Sequence, residues 1–176
     1  MKRTTMTKKT IKTATLILTA MLMMCGCSAN NNTKADTSSA AAGTEKAADI
    51  SAEELLADIS HDNLDGRRSK GDGKYDKNAA QFYETGFANI LDGAILYNEN
   101  GGYPDEVSAV KFDEGIDGQE LLKQRLESRT ATFRDYRPEE VPKLENAKIF
   151  NAGGFDILII SDDADNIEKQ LKEKLS

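Results

Sequence analysis

Two strand-like runs, each turning back on a partner across glycines, bracket one long amphipathic segment, and this arrangement restricts the chain more than any other feature. Residues 94–97 and 107–112 are apolar and rich in β-formers, while Asn98-Glu99-Asn100-Gly101-Gly102-Tyr103-Pro104-Asp105 between them is a run of turn formers. A long hairpin is the economical connection. The pattern recurs at 147–151 and 155–160 across Ala152-Gly153-Gly154, whose glycines supply the positive φ that such turns need. Between the pairs, residues 117–136 place Leu122, Leu126 and Phe133 within about 40° of one another on a helical wheel, with Tyr136 close by. Arg137-Pro138 stops that helix, because the residue before proline is pushed out of the α region. Pro138 then suits the first turn of a further short helix.

The last segment carries Ser161, Asp162, Asp163 and Asp165 at its start and Lys169, Lys172 and Lys174 at its end. Both clusters complement a helix dipole, and Ala164, Ile167, Leu171 and Leu175 share one face. Upstream, Ser51 and Glu54 have capping-box spacing, and Ile50 and Leu55 stand where a hydrophobic staple places them. A helix over 52–59 follows, with Leu55, Leu56 and Ile59 on its apolar side. Residues 61–77 are dense in Asp and Gly and read as a surface loop. The spacing of Tyr83, Phe87, Ile90 and Leu91 predicts a second helix over 78–91. The resulting order predicts a single α+β domain over 49–176: an antiparallel sheet of about four strands, covered on one face by helices, after one or two N-terminal helices.

The chain before this domain has a different character. Lys2, Arg3, Lys8, Lys9 and Lys12 precede a mostly apolar run from 13 to 24, the two-part pattern of a secretory signal. That run is well short of the roughly 20 residues a spanning helix needs. Leu22-Met23-Met24-Cys25-Gly26-Cys27 resembles the lipobox of bacterial lipoproteins, in which a diacylglycerol joins the cysteine and the chain is cut just before it. Gly26 fits the position before the cut, which selects Cys27 and makes residues 1–26 the signal peptide. An ordinary signal peptide cleaved after Ala29, or a short uncleaved anchor, is the alternative. Residues 28–48 hold no large apolar side chain and read as a tether, spanning roughly 25 Å as a flexible coil. The expected address is the extracellular face of the cell membrane, held by the lipid on Cys27.

Processing sharpens the charge. The full chain has 23 basic and 30 acidic residues, and removing residues 1–26 with five bases and no acid leaves 18 against 30, a net charge of −12. Such a domain lacks the phosphate-neutralising surface that nucleic-acid binding requires. After processing, Cys27 is the only cysteine and it is alkylated, so neither disulfides nor thiol chemistry is expected. His61 is the only histidine, and its neighbours Ser60 and Asp62 do not make a relay by adjacency. It is expected to face solvent. A calcium loop starting at Asp72 fails, with Lys74, Lys77 and Tyr83 at three ligand or glycine positions. Asp162, Asp163 and Asp165 are read as helix-start acids before metal ligands. No catalytic residue, metal or cofactor is assigned.

Residues 106–175 resemble a family of uncharacterised lipoproteins of Gram-positive bacteria, catalogued as domain of unknown function 4358. The resemblance rests on Glu106-Val107 and Val110-Lys111, on Leu122, Arg125 and Leu126, on Phe133, Tyr136, Pro138 and Glu139, and on Ala147 with Gly154-Phe155 and Ile157. It implies a surface-exposed domain and supplies no reaction.

One geometry on the central helix remains. Arg125, Arg129 and Tyr136 fall along one edge of its apolar stripe, where two guanidiniums and a phenol can receive a carboxylate or phosphate. The same side chains can instead cover core surface with their stems and pair with this chain's acids, and Tyr136 with Pro138 can serve only as a helix stop packed under the sheet. The expected function is that of a non-enzymatic binding or accessory module of the cell envelope, taking an envelope protein or a small anionic ligand. A carboxylate-dependent hydrolase or envelope-processing enzyme is the alternative.

Overall fold

The computed structural model describes residues 50–176. The export signal, Cys27 and the tether lie outside the described residues. The elements are α1 (Ala52–Leu55), β1 (Gly66–Ser69), α2 (Gly73–Phe82), β2 (Ile90–Tyr97), β3 (Glu106–Phe112), α3 (Gly118–Tyr136), α4 (Val141–Glu145), β4 (Lys148–Ala152), β5 (Phe155–Ile160) and α5 (Ala164–Leu175). The strands form one sheet in the order β1-β2-β3-β5-β4, antiparallel at every step. The fold is therefore α+β, with both expected hairpins in place and Gly153 and Gly154 at φ +57° and +79° in the second turn.

A fifth strand joins the expected four. β1 lies inside the segment read as a loop, and its sequence Gly-Arg-Arg-Ser has no apolar side chain to announce it. It is an edge strand, held by its ladder to β2 and by Arg67, whose Nη1 donates to the Leu56 carbonyl at 2.9 Å.

The second helix is displaced from its expected span of 78–91. α2 starts after Asp72, whose side chain accepts from the Lys74 amide at 2.8 Å. It sets Tyr75 and Ala79 into the core, with Tyr83 one turn further as its cap. Glu84, at φ +47°, ends the helical path. Beyond a single 3-10 turn at Phe87–Asn89 the chain enters β2 at Ile90, four residues before the expected strand start. A bulge between Ile90 and Asp92 breaks the alternation that would have marked the strand. The capping box at Ser51 and Glu54 is present, but α1 is only one turn long. Leu56 and Ile59 are nevertheless buried with it, and Ile50 packs on the same cluster.

Helices cover both faces of the sheet where one face was expected. On one face Ala94, Leu96, Val107, Ala109, Ile157 and Ile159 meet α1 and the stripe Ala164, Ile167, Leu171 and Leu175 of α5. On the other, Ile95, Val110, Leu158 and Ile160 meet Tyr75 and Ala79 of α2, Leu122 and Phe133 of α3 and Leu144 of α4. The cause is visible in β5, where Phe155 and Ile157 through Ile160 are all buried regardless of parity. A strand buried on both sides reads as a continuous apolar run and not as an alternation. Among the described residues no helix is long and apolar enough to cross a membrane.

Candidate functional site

On the face covered by α2 and α3, the sheet carries two polar residues where apolar ones would pack. Glu106 pairs in register with Tyr97, and Ser108 with Ile95. Both are fully buried. Their partners come from the helices above. Arg125 on α3 grips the Glu106 carboxylate with both ends of its fork, Nε to Oε1 and Nη2 to Oε2 at 2.6 Å each. The Ser108 hydroxyl donates to Oε1 at 2.8 Å, and the Tyr83 hydroxyl donates to Ser108 at 3.3 Å. Phe82 lies under the Arg125 guanidinium, 4.5 Å from carbon to ring centre. Burial alone would raise the Glu106 carboxyl, but Arg125, Arg129 and the hydrogen bonds from Arg125 and Ser108 outweigh it and hold the group below its ordinary value. It stays ionised.

Arg129 sits one helical turn further along the same edge. Its Nη2 donates to the Pro104 carbonyl at 2.9 Å, while Nε stands 3.5 Å from Glu106 Oε2, outside hydrogen-bond geometry. Burial lowers its proton affinity, and Glu106 restores only part of it. Arg129 is thus a cation with one donor committed to the loop and another uncommitted.

Arg129 also lines a cavity of about 620 Å³ between α2 and α3, a size typical of small-molecule sites. Ile95 and Tyr97 form part of its lining from the sheet, Phe82 from α2 and Phe133 from α3. Arg68 enters from β1. Its Nε is also buried without a hydrogen-bond partner, and its nearest carboxylates, Asp72 and Glu99, are 3.5 and 3.6 Å away. Tyr75 completes the set: its hydroxyl lies against Gly93, where any Cβ would collide with it, and stands beside the Tyr83 hydroxyl outside ideal hydrogen-bond geometry. Burial, reinforced by neighbouring Tyr83, pushes this phenol well above its ordinary value, so it remains a donor.

Among the described residues, buried side-chain polar atoms without a partner occur in two places only. Three belong to side chains that line this cavity. Native interiors leave few such groups, so their concentration around one hollow marks it as the candidate site. The lining charges agree: Arg68, Lys74, Arg125 and Arg129 stand against Glu99 and Glu106, a local excess of cations in a strongly acidic chain.

The loop between β2 and β3 closes one end. Asp65 accepts from the Glu99 amide at 2.7 Å, and Arg137 donates to the Gly102 carbonyl at 2.6 Å while covering the Tyr103 ring at 4.4 Å. Of the three site residues expected from the sequence, the structure brings Arg125 and Arg129 together and leaves Tyr136 out. Tyr136 is 65% exposed and meets only the edge of Phe133 among rings, so it is neither in the cavity nor packed under the sheet. It is the last residue of α3. Arg68, Tyr75 and Phe82 were missed, although the four-residue spacing of Tyr75, Ala79 and Tyr83 was readable.

The remaining unpartnered pair is His61 Nδ1 and Asp105 Oδ1, 4.0 Å apart. His61 is half-buried beside a fully buried acid, contrary to the expectation of a solvent-facing side chain. Asp105 is held chiefly by Lys143 at 2.8 Å, which also reaches Glu140 and Asp162 at 3.1 Å each. Burial works against the Lys143 charge, but these three carboxylates raise its proton affinity overall. The acids before α5 are used in ion pairs more than in capping: Asp162 with Lys143, and Asp165 with Lys148 at 2.7 Å, while Asp163 makes no side-chain cap bond. No cluster of three or more metal-ligating side chains occurs among the described residues.

No family model matches the chain, and neither a curated protein nor a solved structure matches it.

Proposed function

We propose that this chain is a lipid-anchored extracellular binding module of the cell envelope, and that the cavity between α2 and α3 takes a small anionic ligand with an apolar body. The observation that carries the reading is that Arg68, Tyr75 and Arg129, each with a buried polar atom outside hydrogen-bond geometry, line one hollow walled by aromatic rings. Apolar walls with a few placed polar groups are what small-molecule sites consist of. The likeness of residues 106–175 to the lipoprotein family belongs to the same reading, since it includes Glu106 and Arg125, while Arg129 departs from the family's pattern.

The hydrolase alternative is weaker on chemical grounds. A carboxyl acting as general acid near neutrality needs a raised proton affinity, and Glu106 is held down by its guanidiniums. Asp156 is the carboxyl that burial and neighbouring Asp117 hold up, and it does not line the cavity.

Two experiments test the reading separately. For the address, Cys27→Ser is expected to move the protein from the membrane fraction to the medium and to abolish labelling by palmitate. Retained labelling overturns it. For the site, para-tolylacetate titrated into nitrogen-labelled full-length protein in detergent is expected to shift the Nε–H resonances of Arg68 or Arg129 along one saturating curve. Tyr75→Phe should weaken that curve several-fold, the order expected when one hydrogen bond to a charged acceptor is lost. An absence of shifts at either arginine removes the anion-site proposal.

A further inference from the structure

Resting on the anion-site reading, we infer that the natural occupant is two-ended: an apolar segment with one anionic group at each end, the first taken by Arg68 and the second by Arg129. The two arginines come from different elements, Arg68 from β1 and Arg129 from α3. Arg68 is opposite Ile95 of β2, whereas Glu106, the acid that Arg129 faces, is on β3 opposite Tyr97 of β2. β2 lies between Arg68 and that acid. Two strand spacings give about 9.5 Å across the sheet, and the step from Ile95 to Tyr97 adds about 6.8 Å along it, so the Arg68 and Glu106 backbones are about 12 Å apart.

The side chains are also tied to different places. Arg68 leans on Asp72, before α2, and on Glu99 of the loop. Arg129 bonds the Pro104 carbonyl and faces Glu106. Neither shares a partner with the other. Each keeps a buried Nε–H without an acceptor. Between them the cavity presents Ile95, Tyr97, Phe82 and Phe133, which offer no counter-charge and favour an aromatic or aliphatic spacer. A compact anion such as acetate or phosphate can reach one guanidinium and leaves the other to the carboxylates it already faces. A dicarboxylate with a ring-length spacer satisfies both.

The test compares two probes that share a ring. Para-phenylenediacetate carries an acetate at each end, and para-tolylacetate replaces one with a methyl group. In calorimetric titrations of the full-length protein in detergent, the dianion is expected to bind about tenfold tighter or more, the contribution of one further charge-assisted bond. Arg68→Ala should cut the dianion to the affinity of the monoanion. Glu99→Gln, which removes a carboxylate that competes for Arg68 from an exposed loop position, should strengthen the dianion a few-fold and guards against misfolding of the first variant. Equal binding of the two probes to the unaltered protein overturns the two-ended occupant while leaving the single-anion site standing. So does a dianion advantage that survives Arg68→Ala. Binding of neither probe overturns both readings.

Discussion

Glu106→Gln is expected to lower the stability of the domain by about 3–5 kcal/mol, the usual consequence of removing one member of a buried ion pair. The substitution keeps the size of the side chain and removes its charge, leaving the Arg125 guanidinium in a wall of Phe82, Tyr83 and Ser108 without a counter-ion. Urea denaturation followed by circular dichroism measures the loss, and a change below about 1 kcal/mol would mean that the pair relaxes to water more freely than the geometry permits. The pH dependence follows from the same group. Its carboxyl is held below the ordinary value of 4.5 in the folded state, so the unfolded chain binds the proton more tightly. The stabilisation is complete above about 4.5 and is lost as pH falls through the lower, folded value. Glu106→Gln should flatten that acid limb. Replacing Glu106, Arg125 and Arg129 together by Leu should recover most of the stability, because an apolar substitute avoids the desolvation of three charges. Recovery of stability with loss of anion binding separates the two roles of the cluster.

Leu158→Ala and Ile159→Ala are each expected to cost about 2–5 kcal/mol. They are consecutive on β5 and point to opposite faces of the sheet, Leu158 into the cluster beneath α2 and α3, Ile159 into the cluster beneath α1 and α5. Both side chains are fully buried. A sheet covered on one face would tolerate one of the two substitutions at little cost, so a large difference in denaturation midpoint between them would contradict the three-layer arrangement. Similar losses confirm that α5 is a structural layer and not an appendage. β5 sits between β3 and β4, so neither site can collapse by moving an edge.

The parts of the fold that were legible are those where local signals act alone. The glycine turns and apolar runs specified both hairpins, and the caps and apolar stripe specified α5. Arg125 and Arg129 share one edge because one helical turn puts them there whatever lies above, and Arg125 pairs with this chain's own Glu106, as the alternative reading had it. What was hidden depended on distant partners. β1 has no apolar residue because it is an edge strand held by its ladder to β2 and by Arg67, and Tyr83, Ile90 and Leu91 imitated a helix because the bulge at Ile90 and Asp92 disrupts the strand period. The sheet's second helical layer could not be assigned without knowing that α5 crosses to the side of α1. Glu106 was named only for the family resemblance, and its place beneath α3 comes from the register. Tyr136 falls within about 20° of Arg129 on the wheel, but a wheel carries no information about what packs over the last residue of the helix.

The placement of the aromatic residues has an optical consequence. The chain has five tyrosines and no tryptophan, so its near-ultraviolet emission belongs to Tyr75, Tyr83, Tyr97, Tyr103 and Tyr136. Two of these, Tyr75 and Tyr97, line the cavity and Tyr83 lies directly beneath it, bonded into the Glu106 cluster. Most of the protein's intrinsic fluorophores therefore surround one hollow, and quenching or dichroism of the native chain reads the state of that hollow without any attached dye.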